Sequence, residues 1–298
     1  MKKINLFDND TIKWRGGDKL YCAHIQADLT PMNPRRGWDN LATMACWYNG
    51  YDLGDDIGNK SPEEFWLDLV DKHVPRAAFI EAVKSGKLYG IRAETNDREN
   101  YDIYEYYAVR SILGTSEPDE VLEYENLSES DFWLYISDDL TVQHCQKLLE
   151  PYLEWMPLTV YEHGGITMSC GPRVGQFADR WDSSAVGWIV VSKETIEAET
   201  GLKDEDWRLR ATRLMKAEVK TYDQYLTDDV YGFTLYEAEV PAEGEDPAWE
   251  EVESCWGFYG SEIHENGLID HLPCEDVIEA GDYETGQATE HTVTYYTF

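Results

Sequence analysis

At 298 residues, with 42% hydrophobic and 13% aromatic side chains, the chain is long enough to bury its own core and too rich in Trp and Tyr to be a disordered polymer. Its 59 Asp and Glu against 25 Lys and Arg give a formal net charge of −34, a field that repels nucleic acids and anionic membranes and draws in cationic protein surfaces. The longest apolar run, 186–191, is far short of the ~20 residues of a membrane-spanning helix.

The opening MKKINLFDND reaches Asp8 and Asp10 without an apolar stretch of signal-peptide length. The six cysteines are scattered without a CxxC pair. Both features predict a reduced, cytoplasmic protein. The charge is uneven: residues 76–155 hold 17 acids and 7 bases, 156–220 are nearly balanced, and after Lys220 there are 20 acids and no Lys or Arg.

In chain order, the first 55 residues alternate short apolar runs (TIKW, LYCAHIQADL) with Asn, Gly and Pro turns, which predicts strands. Ser61-Pro62-Glu63-Glu64 supplies an N-cap, a first-turn proline and first-turn acids for a helix to about Lys72, and a second helix is predicted over 76–84. From Tyr89 to Pro157, tyrosines and acids interleave without a clear period. Then follow strands PLTVY and ITMS around a Gly-Gly turn, a loop, and strand VGWIVV running into a helix capped by Ser192 and ended by Gly201.

Trp207, Ala211, Leu214, Met215, Val219 and Tyr222 form one stripe of a long amphipathic helix near 205–226. Strands VYGFTLYEAEV and VESCWGFYG come next, joined by the acidic PAEGEDPAWEE. In the second, Trp256 and Phe258 alternate as buried strand residues do. The predicted class is α+β, a mainly antiparallel sheet with a few packed helices. Three parts are expected: a strand-rich 1–75 with its helix, an acidic middle segment 76–157, and an α+β part 158–298 that could share one domain with 1–75.

The blocks LFDNDTIKW, PMNPRRGWDN, YDLGD, YEHGGITMS, WDSSAVGWIVVS, VKTYDQYLTDDVYGF and SCWGFYGS resemble those of an uncharacterised family of acidic proteins carried by phages, plasmids and conjugative elements of Gram-positive bacteria. The resemblance spans roughly 1–72 and 158–261. It implies no catalytic residues. It implies a context, the accessory genes of mobile elements, many of which blunt host defence.

Several residue groups carry the vocabulary of chemistry. Glu162-His163, with Ser169 and Cys170 nearby, lacks a GxSxG elbow, so a turn is expected and catalysis is the minority reading. Metal ligation is not expected: Cys22/His24, His144/Cys145 and His264/His271/Cys274 lack paired zinc spacing, and Asp52, Asp55 and Asp56 lack the calcium-loop ladder. No phosphate-binding glycine motif is present, and no cofactor is expected.

The acids carry the favoured functional expectation. A net magnitude of ~2–8 suffices for solubility, and this chain exceeds it several-fold. Rows of carboxylates imitate the phosphates of DNA, one charge per ~1.7 Å of duplex axis. The expected protein is a non-enzymatic inhibitor that binds a basic surface of a host DNA- or RNA-processing defence enzyme, of the anti-restriction or anti-CRISPR type, and does not itself bind nucleic acid. Its working residues are predicted to be Asp223, Asp228, Asp229, Glu243, Glu245, Asp246, Glu250, Glu251 and Glu253, backed by Glu117, Asp119, Glu120, Glu123, Glu125, Glu129 and Asp131. The alternative is an enzyme or small-ligand protein with a pocket around Glu162, His163 and Asp182.

Overall fold

The computed structural model describes residues 8–84, 91–96, 103–108, 133, 137, 140–171, 183–203, 205–273 and 283–287. It is an α+β fold with mainly antiparallel sheets. The chain divides into two compact units. One gathers Met1–Asn40, Leu158–Ala185 and Lys216–Phe298, and the other Leu41–Pro157 and Val186–Met215.

The first unit is built on a five-stranded antiparallel sheet. Strand β1 (Asp10–Gly16) turns through Gly17-Asp18 into β2 (Lys19–Ala27), with Gly17 at φ +66°, a conformation open to glycine at little cost. Later in the chain, β9 (Val230–Glu239) pairs with β2, β10 (Glu250–Tyr259) pairs with β9, and β11 (Tyr283–Gln287) pairs with β1. The order is β10-β9-β2-β1-β11, so β10 forms one edge. One face of the sheet is apolar at alternate positions: Ile12, Trp14, Ala23, Ile25, Phe233 and Leu235 pack with Phe258, Ile263, Leu268, Ile269 and Leu272.

Short α1 (Pro34–Gly37) belongs to this unit, capped by the Asn33 side chain. Its Arg35 is buried and pairs with Glu218 at 2.7 Å, tying the turn to the long helix described below.

The second unit has an aromatic core. Helix α2 (Pro62–His73) opens on the predicted Ser61 N-cap and first-turn proline, and the cap is a reciprocal capping box: Ser61 Oγ accepts from the Glu64 N–H at 3.2 Å, and the Glu64 carboxylate accepts from the Ser61 N–H at 2.7 Å. Helix α3 (Arg76–Lys84) falls on the predicted residues. Strand β3 (Thr43–Cys46) precedes these helices, and β4 (Ile91–Asn96) and β5 (Ile103–Ala108), paired antiparallel, follow them.

Helix α4 (Val142–Leu149) is capped by Thr141, and His144 Nδ1 accepts from the Thr141 N–H at 3.2 Å, so this histidine serves the helix end. Asp55 accepts from the Met44 N–H of β3, and Asp56 accepts from the Gly58 N–H within its own turn. Trp66 lies at the centre, its ring 5.4 to 5.8 Å from those of Phe65, Trp155 and Trp188.

A four-stranded sheet has the order β3-β8-β6-β7, with β6 at Leu153–Glu162, β7 at Ile166–Cys170 and β8 at Ser183–Ser192. Ser192 caps α5 (Lys193–Thr200), and Gly201 ends it in the left-handed region, φ +67°. Helix α6 (Trp207–Leu226) is the long amphipathic helix, with Trp207, Ala211, Met215, Val219 and Tyr222 of the predicted stripe buried and Leu214 half-buried. The structure passes from one unit to the other within β6, β8 and α6.

Candidate acidic interface on the β9–β10 hairpin

The predicted acids of the C-terminal third occupy two ends of the five-stranded sheet. At one end, β9 and β10 are joined by the loop 240–249, which turns at Gly244, φ +89°. Between residues 237 and 253 this hairpin carries Glu237, Glu239, Glu243, Glu245, Asp246, Glu250, Glu251 and Glu253 and no cation. Glu243, Glu245, Asp246, Glu250, Glu251 and Glu253 are all exposed.

Register decides how these carboxylates are displayed. Glu250 stands directly opposite Glu237, a like-charge pair that costs stability in a sheet. The cation that relieves it comes from another strand. Lys19 of β2, paired with Glu239, reaches diagonally to Glu237 at 2.5 Å. This hydrogen bond is the main cause holding the Lys19 ammonium above the ordinary lysine range. Five carboxylates (Glu237, Glu239, Glu245, Asp246 and Glu250) and this one lysine line a groove of about 510 Å³. Among the described residues no three His, Cys, Asp or Glu are grouped so as to hold a metal ion.

Further along β10 a bulge at Val252 sets Glu251 opposite Tyr236 and Glu253 opposite Leu235. Two residues apart on an unbroken strand would share a face. The extra residue sends these two carboxylates to opposite faces, so the edge is acidic on both sides. A second irregularity lies between Trp256 and Phe258, where Gly257 has φ +89°.

The alternation expected to bury Trp256 with Phe258 is therefore broken: Phe258 is in the core and Trp256 is 46% exposed. The Trp256 ring lies on the backbone of Gly232, where a Cβ would come within 2.2 Å of it. That glycine is needed for the close approach rather than for a turn.

At the other end of the sheet, the remaining predicted acids have more structural work. Asp223, on α6, is half-buried and accepts from the Met168 N–H at 2.6 Å. Burial pushes its carboxyl pKa up, the Met168 bond opposes this, and Asp229 adds to the rise. Asp228 is exposed in the left-handed region, φ +56°. Asp229 follows, its N–H bonded to the Gln224 carbonyl and its own carbonyl accepting from the Gly260 N–H. Burial first, then the nearby Asp229, Asp10 and Asp8 carboxylates, push the Tyr231 phenol up to about 12.

Glu162 ends β6 and pairs with Ile166, and His163 sits in the three-residue turn, its N–H bonded to the Gly165 carbonyl at 3.1 Å. Both side chains are exposed at the hairpin tip. Of the neighbouring nucleophile candidates, Ser169 is exposed and Cys170 half-buried, and burial raises the Cys170 thiol pKa. A nucleophilic cysteine needs the reverse shift. Asp182, Cys274 and the acids Glu117, Asp119, Glu120, Glu123, Glu125, Glu129 and Asp131 lie outside the described residues.

Sequence reasoning missed Lys19, Glu237 and Glu239. The two glutamates alternate at the end of VYGFTLYEAEV, a pattern that would have joined them to the acidic loop. Lys19 becomes part of the groove only through the pairing of β2 with β9, which joins positions more than two hundred residues apart.

No protein-family model, curated protein or solved structure matches the chain.

Proposed function

We propose that this protein is an acidic inhibitor, of mobile-element origin, that occupies the cationic nucleic-acid groove of a host DNA- or RNA-processing defence enzyme. The observation that supports this most is the β9–β10 hairpin, with eight carboxylates between residues 237 and 253 and only Lys19 entering its groove. Side chains on one face of an antiparallel strand recur about every 6.8 Å. Glu250, Glu251 and Glu253 place three charges, divided between the two faces, over about 10 Å of β10, and Glu237 and Glu239 add two more on the adjacent strand about 4.8 Å away.

Such an array attracts a groove evolved for phosphates and offers no bond to cut and no base to read. The protein turns nothing over and works by mass action. Its association is fast and falls with salt, because the charges that steer it are exposed.

The test is a cleavage assay with purified bacterial restriction and RNA-guided nucleases, titrated with the protein at low and physiological salt. Inhibition of a nuclease, relieved by added DNA and by replacing Glu245, Asp246, Glu250, Glu251 and Glu253 with their amides, is the expected result. Inhibition that persists unchanged in the amide variant contradicts the proposal.

A further inference from the structure

The loop 28–40, at the opposite end of the first unit's sheet from the acidic groove, exposes apolar side chains that folding does not use. Leu29 is 90% exposed, Met32 60% and Trp38 45%. Single exposed apolar residues are ordinary, but Trp38 and Met32 are held in place. Trp38 meets the Tyr259 ring edge-on at 5.0 Å, and the Tyr259 hydroxyl donates to the Met32 carbonyl. The Met32 thioether lies over Gly37, where a Cβ would come within 2.4 Å of its sulfur.

Beneath them, Asn33 caps the turn, Asn40 donates to the Pro34 carbonyl at 2.8 Å, and the buried Arg35 is anchored on Glu218. The loop is bolted from below while its apolar side chains face solvent. A rigid Trp with surrounding aliphatic and aromatic contacts is the commonest form of an interface hot spot, since little side-chain entropy remains to be lost.

Charge says what covers it. Asp39, next to Trp38, and Asp228 are exposed, Asp28 lies close enough to act on the Tyr259 phenol, whose pKa is raised by burial first and then by this carboxylate, and one exposed cation, Arg36, lies on the same loop. A second copy would bring the same acids and a net charge of −34 against this feature, which opposes self-association. Strand β10 runs from the acidic groove at Glu250 to the platform at Tyr259, joining the two along one sheet edge.

We infer that Trp38, Met32 and Leu29 form the apolar anchor of the partner interface, and that the occupant is a protein surface whose apolar socket is ringed by Lys and Arg. The inference rests on the reading of the acidic hairpin as partner-facing and adds to it. Carboxylates alone suit any phosphate-binding groove, whereas an apolar anchor selects one protein and supplies affinity that salt does not screen.

Fluorescence anisotropy with three labelled synthetic peptides tests this: alternating Leu and Lys, alternating Leu and Glu, and alternating Ser and Lys. The Leu-Lys peptide is expected to bind, with Trp38→Ala and Leu29→Asp each weakening it about tenfold or more. The Leu29 variant controls for folding, because that side chain is almost wholly in solvent and its replacement adds a carboxylate that should otherwise attract the peptide. The Ser-Lys peptide is expected to bind weakly and to ignore both substitutions, and the Leu-Glu peptide not to bind.

If neither substitution changes Leu-Lys affinity while the five-amide hairpin variant abolishes it, the anchor is refuted and the acidic reading stands. If the hairpin variant and added salt change nothing, the acidic reading fails and the charged partner with it. Tight binding of the Leu-Glu peptide also overturns the inference, as does a dimer in sedimentation that Trp38→Ala dissolves.

Discussion

Trp66 and Trp38 put the same side chain to opposite uses in the two units. Trp66 is fully enclosed by Phe65, Trp155 and Trp188, in a unit that also holds ion pairs such as Arg208 with Glu154 at 2.6 Å. Trp38 stands in solvent on a loop braced by buried Arg35, in the unit that also carries the cation-free hairpin. Aromatic content is thus spent on stability in one region and displayed in the other. The comparison separates a residue whose loss should unfold the protein from one whose loss should leave the fold intact.

The largest effect is expected at Trp66. Trp66→Ala should cost about 4 kcal/mol, the transfer free energy of the ring plus the cavity it leaves, measured by urea denaturation. Next is Arg35→Ala, which removes the buried cation paired with Glu218 and should cost about 3 kcal/mol, whereas replacing both partners with Met and Leu should recover most of the loss. A cost for the pair equal to that of the single variant would show that the charge pair itself, rather than the carboxylate left behind, sets the loss.

Asp223→Ala removes the acceptor of the Met168 N–H and should cost about 2 kcal/mol. Asp223→Asn keeps an acceptor and should be at least as stable as the parent at neutral pH. The sign follows from the raised carboxyl. The folded protein holds this proton more tightly than the unfolded chain does, so the group's contribution is complete below the ordinary value of 3.8 and is lost as pH rises through the higher folded value. Denaturation at mildly acidic and neutral pH should therefore show a shallower pH dependence in the Asn variant. The smallest stability effects, within about 0.5 kcal/mol, are expected for Trp38→Ala and for single amide replacements on the hairpin. A large loss at Trp38 would place it with Trp66 and dissolve the contrast between the regions.

Much of this was legible in the residues themselves. The Ser61 and Ser192 caps, the Gly201 stop and the α6 stripe are local, and local chemistry sufficed to place them. The exposure of Trp256 was not, because alternation assumes a regular strand and the irregularity at Gly257 is a property of the pairing with β9. The acids of the hairpin were legible as a composition, but their arrangement was not. The like-charge pair Glu250/Glu237, the relief by Lys19 and the division of Glu251 and Glu253 between two faces all depend on register. Asp223 belonged to the same acidic run in the sequence and yet turns inward, because its partner is a backbone N–H on β7 that no spacing announces.

The central claim is that the exposed carboxylates of the β9–β10 hairpin displace nucleic acid from a cationic enzyme groove. The most direct measurement is displacement of labelled duplex DNA from an inhibited nuclease, held catalytically idle without its metal, as the protein is added at increasing salt. The account predicts full displacement at low salt, a steep fall in affinity as salt rises, and loss of both in the five-amide variant. Displacement that is indifferent to salt and unaffected by the amides would contradict it.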